Sequence, residues 1–139
     1  MMGEMRYFSP EVLRADEMTI YRAAGLSEED AGIISDALIE NEMTGIASHG
    51  LIRTRRYVDC ILSGGIRPEG RYEFVYDNPS WAVVDGLGGL GIIISVKATE
   101  LCIQKARETG IGIVNVRHSH HFGAAGQYTR QIARENMFG

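Results

Sequence analysis

The stretch from residue 81 to residue 116 constrains the fold of this chain most strongly. It is predicted to form a strand over residues 81–84, a helix over residues 91–109 and a second, buried strand over residues 111–116. The helix is predicted because its apolar residues fall on one face and because Gly110 follows as a C-cap. Strand, helix and strand in this order form a βαβ unit, with parallel strands and a right-handed crossover. The sequence therefore predicts an α/β fold.

Helical patterns precede this unit. Apolar residues recur at helical spacing in three segments, which cover residues 11–24, residues 28–44 and residues 48–63. A serine suited to be the N-cap precedes or begins each segment, namely Ser9, Ser27 and Ser48. Four apolar residues of the third segment are expected to face the core: Leu51, Val58, Ile61 and Leu62. The N-terminal part of the chain is therefore predicted to be helical.

A β-hairpin is predicted between these helices and the βαβ unit. Aromatic residues alternate with Glu73 and Val75 over residues 72–76, and residues 77–80 have the composition of a turn. A last helix is predicted over residues 125–133. These patterns divide the chain into a helical segment, residues 1–66, and the start of an α/β domain, residues 67–139.

Composition argues against two kinds of partner. With 45% hydrophobic and 23% charged residues, the 139-residue chain has the composition of an ordinary globular protein. A net charge of −4 argues against nucleic-acid binding, which needs clustered lysines and arginines. Apolar runs such as residues 92–94 are far too short to cross a membrane. Because Cys60 and Cys102 lie outside any CxxC spacing and residues 1–6 lack the apolar core of a secretory signal, we expect a cytoplasmic protein with reduced thiols.

Ser48 and His49 introduce candidate catalytic groups. If Ser48 caps the third helix, His49, Arg53 and Tyr57 share one polar face at successive turns. The positive end of the helix dipole would keep the His49 imidazole neutral and able to exchange a proton, and Arg53 could bind a carboxylate through its planar fork. Such a pair suits the reduction of a 2-oxo acid. Spacing alone also permits, and slightly favours, a solvated helix face.

Residues 86–91 satisfy the pattern G-x-G-x-x-G between a predicted strand and a predicted helix. This is the context of a dinucleotide-binding fingerprint, in which the pyrophosphate lies at the helix N-terminus. However, the next strand ends in Arg117 and not in an acidic residue for the ribose, and the unit does not open a doubly wound sheet. A tight glycine turn without ligand contact is therefore the stronger interpretation.

Three histidines, His118, His120 and His121, follow the last predicted strand. A metal site is one interpretation, but no Cys, Asp or Glu lies nearby in sequence to complete it. A ligand loop is another, because residues 121–125 open a helix whose N–H groups can bind an anion, at the carboxyl end of a parallel strand. For His118 and His120 we favour a solvated polar loop, for His121 a ligand contact, and we expect no metal.

In this order and at these spacings the motifs resemble the malate/L-lactate dehydrogenase family of type 2. The motifs that carry the resemblance are residues 47–50 with Arg53 and Tyr57, residues 86–91, residues 110–114, and residues 121–126 with Tyr128. That family includes ureidoglycolate, sulfolactate and diketogulonate dehydrogenases and a reductase of cyclic 2-imino acids. The two histidine motifs together make the resemblance specific. It covers essentially the whole chain, which matches only the N-terminal part of a typical member.

The resemblance implies a mixed α/β fold that differs from the usual Rossmann domain and of which this chain would be a truncated part. Residues 67–139 would be the start of its cofactor-binding domain. The implied cofactor is NAD or NADP, and the fingerprint interpretation of residues 86–91 gives way to a supporting role. The family's relay aspartate and most of its cofactor-binding loops would follow Gly139.

The resemblance also implies roles for single residues. Ser48 and His49 resemble the family's proton-relay pair, and Arg53 resembles its ligand for the substrate carboxylate. In some members the histidine that matches His121 transfers the proton instead, and His120 replaces the Asn or Ser that usually precedes it. The segment that resembles the family's cofactor-binding segment consists of His121, Phe122, Gly123, Ala124 and Ala125.

The predicted reaction is hydride transfer between a nicotinamide and C2 of a small 2-hydroxy or 2-oxo acid. As partners we expect that acid and either a second copy in a homodimer or a complementary C-terminal half, but no nucleic acid and no membrane. If the sheet continues in further sequence, the last strand should expose apolar residues and the chain should self-associate. The alternative is a non-catalytic fragment, or a subunit of a split dehydrogenase that acts only with a C-terminal half.

Overall fold

The computed structural model describes residues 7–139. Residues 1–6, on which the expectation about a secretory signal rests, lie outside the described residues. The α-helices found in the described part are α1 (Pro10–Ala23), α2 (Glu28–Met43), α3 (Thr54–Leu62), α4 (Gly91–Thr109) and α5 (Gly126–Arg134). The strands are β1 (Glu73–Asp77), β2 (Trp81–Asp85) and β3 (Ile113–Arg117), and two 3₁₀ turns cover Ala47–His49 and Leu51–Arg53. No helix between residues 7 and 139 is long and apolar enough to cross a membrane.

The strands form one sheet in the order β1-β2-β3. β1 pairs with β2 in antiparallel fashion, and β2 pairs with β3 in parallel, with Trp81 opposite Ile113. The turn between β1 and β2 is closed by Asn78, whose side-chain oxygen accepts hydrogen bonds from the backbone N–H groups of Ser80 (3.0 Å) and Trp81 (2.9 Å). α4 connects the two parallel strands. The predicted hairpin, the βαβ unit and the α/β class are thereby confirmed.

One hydrophobic core joins the helices to the βαβ unit. Its buried side chains come from α1, α2, α3 and the start of α4, and they include Tyr21, Ile34, Leu38, Tyr57, Ile61, Leu90, Ile92 and Ile93. An ion pair reinforces this packing, because Lys97 of α4 lies 2.7 Å from the buried Asp30 of α2. The core thus crosses the boundary between residues 66 and 67, and the division into two segments at that point stays a prediction.

The ends of several helices follow the sequence pattern. Ser27 caps α2, since its hydroxyl accepts a hydrogen bond from the backbone N–H of Asp30 at 3.1 Å. Gly110 ends α4 with a φ of +85°, a left-handed conformation that glycine adopts without strain. Ser9 differs, because its side chain does not cap α1.

The third helix begins later than the sequence predicts. α3 starts at Thr54, and the residues from Ala47 to Arg53 form two 3₁₀ turns separated by an extended Gly50. The cause lies in α2, where the Glu42 carboxylate accepts a hydrogen bond from the backbone N–H of Leu51 at 2.9 Å. A Cβ at Gly50 would collide with the Glu42 side chain. Ser48 therefore does not cap an α-helix, and His49 does not lie in the first turn of one.

Two side chains of this region and the last strand also depart from the prediction. Leu62 was expected to face the core but is 69% exposed, whereas Tyr57 of the predicted polar face is only 4% exposed. The delayed start of α3 explains the exchange, because it breaks the helical register on which the predicted faces depended. β3 was expected to be buried but lies at the sheet edge, with Ile113 49% exposed.

Candidate functional site

His49 and His121 lie side by side although they belong to distant segments of the chain. Their ring centroids are 5.4 Å apart and their planes are inclined by 26°. His49 ends the first 3₁₀ turn, whereas His121 lies in the loop between β3 and α5. Arg53 lies in the same region, since its Nε donates a hydrogen bond to the carbonyl oxygen of Ser48, the residue before His49, at 2.6 Å. The structure thus gathers the two predicted histidine motifs into one site.

Two residues of α2 hold the segment that carries His49. Asn41 is fully buried, and its Nδ2 donates a hydrogen bond to the carbonyl oxygen of His49 at 3.0 Å. Glu42 binds the N–H of Leu51, as described above. Together these bonds fix the backbone on both sides of Gly50. The irregular segment is therefore held by α2 and not by a helix of its own.

The Ser48 side chain contacts His49 directly. The Oγ of Ser48 and the Nδ1 of His49 are 2.9 Å apart, so one of them donates a hydrogen bond to the other. Because this bond occupies Nδ1, it leaves Nε2 as the ring nitrogen of His49 that can meet a ligand. A serine in this place orients the imidazole.

His121 is held by α3. The hydroxyl oxygen of Tyr57 lies 2.7 Å from the Nδ1 of His121. Burial lowers the pKa of the His121 imidazole, and the positive charges of Arg53, His49 and Arg56 lower it further. Burial also raises the pKa of the Tyr57 hydroxyl, which therefore stays protonated at neutral pH. At pH 7 this site holds a neutral His121 beside at least one guanidinium.

The glycines of residues 86–91 pack against the histidine loop. The N–H of Gly88 donates a hydrogen bond to the carbonyl oxygen of His118 at 2.7 Å, and the N–H of His120 donates to the carbonyl oxygen of Gly89 at 3.2 Å. A Cβ at Gly91 would overlap the carbonyl oxygen of His120. The loop thus covers the N-terminus of α4, where a dinucleotide fingerprint would bind pyrophosphate. The structure gives these glycines a packing role.

His118 and His120 stay outside the site. The Nδ1 of His118 lies 3.1 Å from a carboxylate oxygen of Asp85, and both histidines are solvent-exposed. Asp85 also accepts hydrogen bonds from Arg117 Nε (3.0 Å) and from the backbone N–H of Leu87 (2.9 Å). This carboxylate therefore links the end of β2 to the start of the histidine loop. His118 thus belongs to an exposed polar part of the loop, where its partner is Asp85.

The predicted cofactor-binding segment leads from His121 into α5. The ring of Phe122 stacks on Tyr128 with centroids 5.8 Å apart, and the Tyr128 hydroxyl donates a hydrogen bond to the Phe122 carbonyl oxygen. Gly123 has a φ of +81°, and a Cβ there would press against Ile92. Ala124 and Ala125 follow without a side chain that caps α5. The segment presents a half-exposed aromatic ring beside backbone amides.

Sequence reasoning missed three residues that build the site. Asn41 could have been found from the helical pattern. It lies four residues after Ala37 and three after Leu38, so the pattern places its polar side chain on the buried face of α2. Glu42 carried no such signal, because its partner is the backbone N–H of Leu51 beyond the end of α2. Asp85 carried none, because two of its partners are side chains of a distant segment, Arg117 and His118. Between residues 7 and 139, no group of three or more His, Cys, Asp or Glu side chains is placed to hold a metal ion.

The chain is similar in sequence to known proteins. The malate/L-lactate dehydrogenase family model matches residues 8–139. A malate dehydrogenase of Pyrococcus abyssi is 50% identical over 115 residues, which are 83% of this chain and 32% of that protein. An L-sulfolactate dehydrogenase of Methanocaldococcus jannaschii is 37% identical over 86% of this chain and 35% of its own length.

The fold agrees with these matches. The structure of malate dehydrogenase from Pyrococcus horikoshii superposes with a TM-score of 0.88 at 37% identity, over 96% of this chain and 40% of that one. The chain spans about a third of the length of the curated relatives that it matches, which are 32% and 35% covered. Since the family match covers nearly every residue and the fold agrees, this chain belongs to the malate/L-lactate dehydrogenase family.

Proposed function

We propose that this chain carries the proton-transfer and carboxylate-binding groups of an NAD(P)-dependent dehydrogenase that acts on small 2-hydroxy or 2-oxo acids. The observation that supports this most is the approach of His49 to His121, with ring centroids 5.4 Å apart, beside Arg53. Relatives named malate and L-sulfolactate dehydrogenases act, by their names, on small 2-hydroxy acids. Both the groups present and the relatives therefore favour this reaction class.

Arg53 is the group that binds the substrate carboxylate. Its Nε is engaged by the carbonyl oxygen of Ser48, which orients the guanidinium and leaves the two terminal nitrogens for a ligand. No carboxylate of residues 7–139 forms an ion pair with it. Two parallel N–H donors match the two oxygens of a carboxylate. Arg53 can thus fix the acid end of the substrate.

His49 is the group that takes the hydroxyl proton in oxidation and returns it in reduction. Its Nδ1 is bonded to Ser48, and its Nε2 is left for the substrate. Arg53 ends the second 3₁₀ turn, four residues after His49, so a carboxylate held there keeps the neighbouring C2 oxygen close to the histidine pair. Ser48 supports the imidazole as it gains or loses charge.

Residues 121–125 are the part of this chain that would hold NAD or NADP. They fit such a ligand in two respects, because the start of α5 has no side-chain cap and the ring of Phe122 is 47% exposed. When bound, the nicotinamide supplies the hydride chemistry. The choice between NAD and NADP, the homodimer or complementary half, and a cytoplasmic location stay predictions.

The test is to mix the purified chain with NADH or NADPH and a panel of 2-oxo acids, with and without a candidate C-terminal half. We expect oxidation of the cofactor to depend on a 2-oxo acid. Activity that needs the second chain would make this one a subunit, whereas no activity and no binding of either ligand in any mixture would contradict the proposal.

Arg53→Ala and Arg55→Ala provide a matched pair of variants. Arg55 lies two residues further along the chain, its side chain is 93% exposed, and it pairs with Asp59 at 3.6 Å. We expect Arg53→Ala to raise the KM for the acid at least tenfold, as the loss of a charge-assisted bidentate contact would, and Arg55→Ala to leave it within about twofold. Equal effects of the two changes would argue against a carboxylate ligand at Arg53.

A further inference from the structure

Tyr57 has no part in the function proposed above, yet it makes a direct contact with the site. Its hydroxyl oxygen lies 2.7 Å from the Nδ1 of His121 and ties α3 to the histidine loop. The tyrosine is only 4% exposed, so neighbouring side chains hold its ring in place. The bond joins residues far apart in the chain and fixes one nitrogen of an imidazole at the centre of the site.

The direction of this hydrogen bond follows from the surroundings of the hydroxyl. Within residues 7–139 the Tyr57 hydroxyl has no hydrogen-bond partner other than His121. A buried O–H group needs an acceptor, because a buried donor left unpaired destabilises the fold. Since Tyr57 keeps its proton, the hydroxyl donates and Nδ1 accepts. A neutral imidazole that accepts at Nδ1 carries its own proton at Nε2.

We propose that Tyr57 is a positioning residue that holds neutral His121 in the tautomer protonated at Nε2. His121 then serves the reaction as a hydrogen-bond donor to the C2 oxygen, and His49 is the histidine that carries the proton. This division of roles rests on the proposed function, whereas the tautomer itself depends only on the contact between Tyr57 and His121.

The charges around the site agree with this division. Burial lowers the pKa of His121 most, and the neighbouring groups Arg53, His49 and Arg56 lower it further. If the imidazoles of His49 and His121 were both protonated, two positive charges would lie next to each other beside Arg53, and like-charge repulsion disfavours this. Neutral His121 with a proton fixed on Nε2 can donate a hydrogen bond without becoming charged. His49 can therefore cycle between its two charge states.

The test is nitrogen NMR of the whole chain labelled with ¹⁵N-histidine, recorded above pH 7. We expect the His121 ring to show one bare nitrogen at Nδ1 and one protonated nitrogen at Nε2. In Tyr57→Phe, which lacks only the hydroxyl, the single tautomer should be lost and a fraction protonated at Nδ1 should become detectable. A wild-type spectrum with the proton on Nδ1, or a His121 signal unchanged by Tyr57→Phe, would overturn the proposal.

Tyr128→Phe is the matched control. It removes the hydroxyl that bonds to the carbonyl oxygen of Phe122 in the same loop, but it leaves the bond from Tyr57 to His121 in place. We expect it to retain the wild-type tautomer, and its loss would show that loop order and not Tyr57 sets the proton. If Tyr57→Phe does not fold, the wild-type spectrum still decides the question.

A ligand titration followed by the same NMR spectrum separates this inference from the proposed function. Adding NADH and a 2-oxo acid should shift the ring signals of His49 and His121 if the chain binds them. No shift, together with the Nε2 tautomer, would argue against the dehydrogenase and leave the role of Tyr57 standing.

Discussion

Thr54 follows Arg53 directly and anchors the start of α3 on α1. Its hydroxyl donates a hydrogen bond to the buried carboxylate of Glu17 at 2.8 Å. Burial raises the pKa of Glu17, the Thr54 bond opposes this in part, and Asp16 adds to it. A carboxylate whose pKa is raised on folding stabilises the fold only while it is protonated. Glu17, which holds the start of α3 through Thr54, therefore weakens the fold at neutral pH.

Glu17→Gln should stabilise the chain at pH 7 by about 1 kcal/mol, because an amide oxygen still accepts the Thr54 bond without the buried charge. The folded-state pKa of Glu17 lies above its unfolded value. The stability that this group contributes is therefore present below the unfolded pKa, near 4.5, and is lost as the pH rises through the folded pKa.

Urea denaturation of wild type and Glu17→Gln between pH 4 and pH 8 (roughly the range over which carboxylates with raised pKa values titrate) measures this difference. The gap between the two proteins should widen with pH. Glu100→Gln on the exposed side of α4 is the control and should change stability little. A gap that is the same at every pH would contradict the assignment to Glu17.

At the scale of elements, the glycine turn before α4 and the histidine loop after β3 form one packed unit. Backbone hydrogen bonds join Gly88 to His118 and Gly89 to His120. His121 follows immediately, so its approach to His49 depends on how closely the two loops pack. Close packing in turn requires the absence of a side chain at Gly91, where a Cβ would overlap a carbonyl oxygen of the loop.

Gly91→Ala should destabilise the chain by about 2 kcal/mol and separate His121 from His49, because the backbone of the loop must move. Gly32→Ala in α2 should act in the opposite direction. A Cβ there would make only an ordinary contact with Arg14 at 3.5 Å, and alanine in a helix is favoured over glycine by about 0.5–1 kcal/mol.

Thermal unfolding of the two variants measures both changes, and NOE contacts between the two histidine rings report the separation. We expect the midpoint of thermal unfolding to fall in Gly91→Ala and to rise in Gly32→Ala. A destabilisation by Gly32→Ala as large as that by Gly91→Ala would indicate a general intolerance of alanine and not a contact specific to the histidine loop.

At the scale of the whole molecule, one exposed apolar region of residues 7–139 lies around β3 and the end of α4. Ile111 is 57% exposed and Ile113 49% exposed, and β3 has β2 as its only strand neighbour in the described part of the chain. A cavity of about 350 Å³ opens beside them between α4 and residues 137–139. An open strand edge with exposed apolar side chains favours association.

We expect the chain to self-associate as its concentration rises, as the sequence also predicts. Ile113→Lys should reduce this association, because it places a charge on the exposed edge strand. Val12→Lys on α1, where Val12 is 55% exposed far from β3 in the chain, should leave it unchanged. Sedimentation velocity over a series of concentrations measures the effect, and a monodisperse monomer throughout would contradict it.

Local patterns in the sequence were sufficient for most of the secondary structure. Helical spacing with Ser27 and Gly110 at the ends predicted α2 and α4, and alternation around a turn predicted the hairpin. These features depend on neighbours within a few residues, so the chain itself encodes them. The order of the elements then implied the parallel pairing of β2 and β3.

The sequence by itself determined the elements, the family resemblance and the candidate residues, whereas the tertiary structure decided how those residues meet. Glu42 and Gly50 delay the start of α3, which turns Tyr57 inwards and Leu62 outwards. The contacts of His121 with His49 and Tyr57 join segments that no spacing rule relates. Helical register is a local property, but a hydrogen bond between distant segments exists only once the core has brought them together.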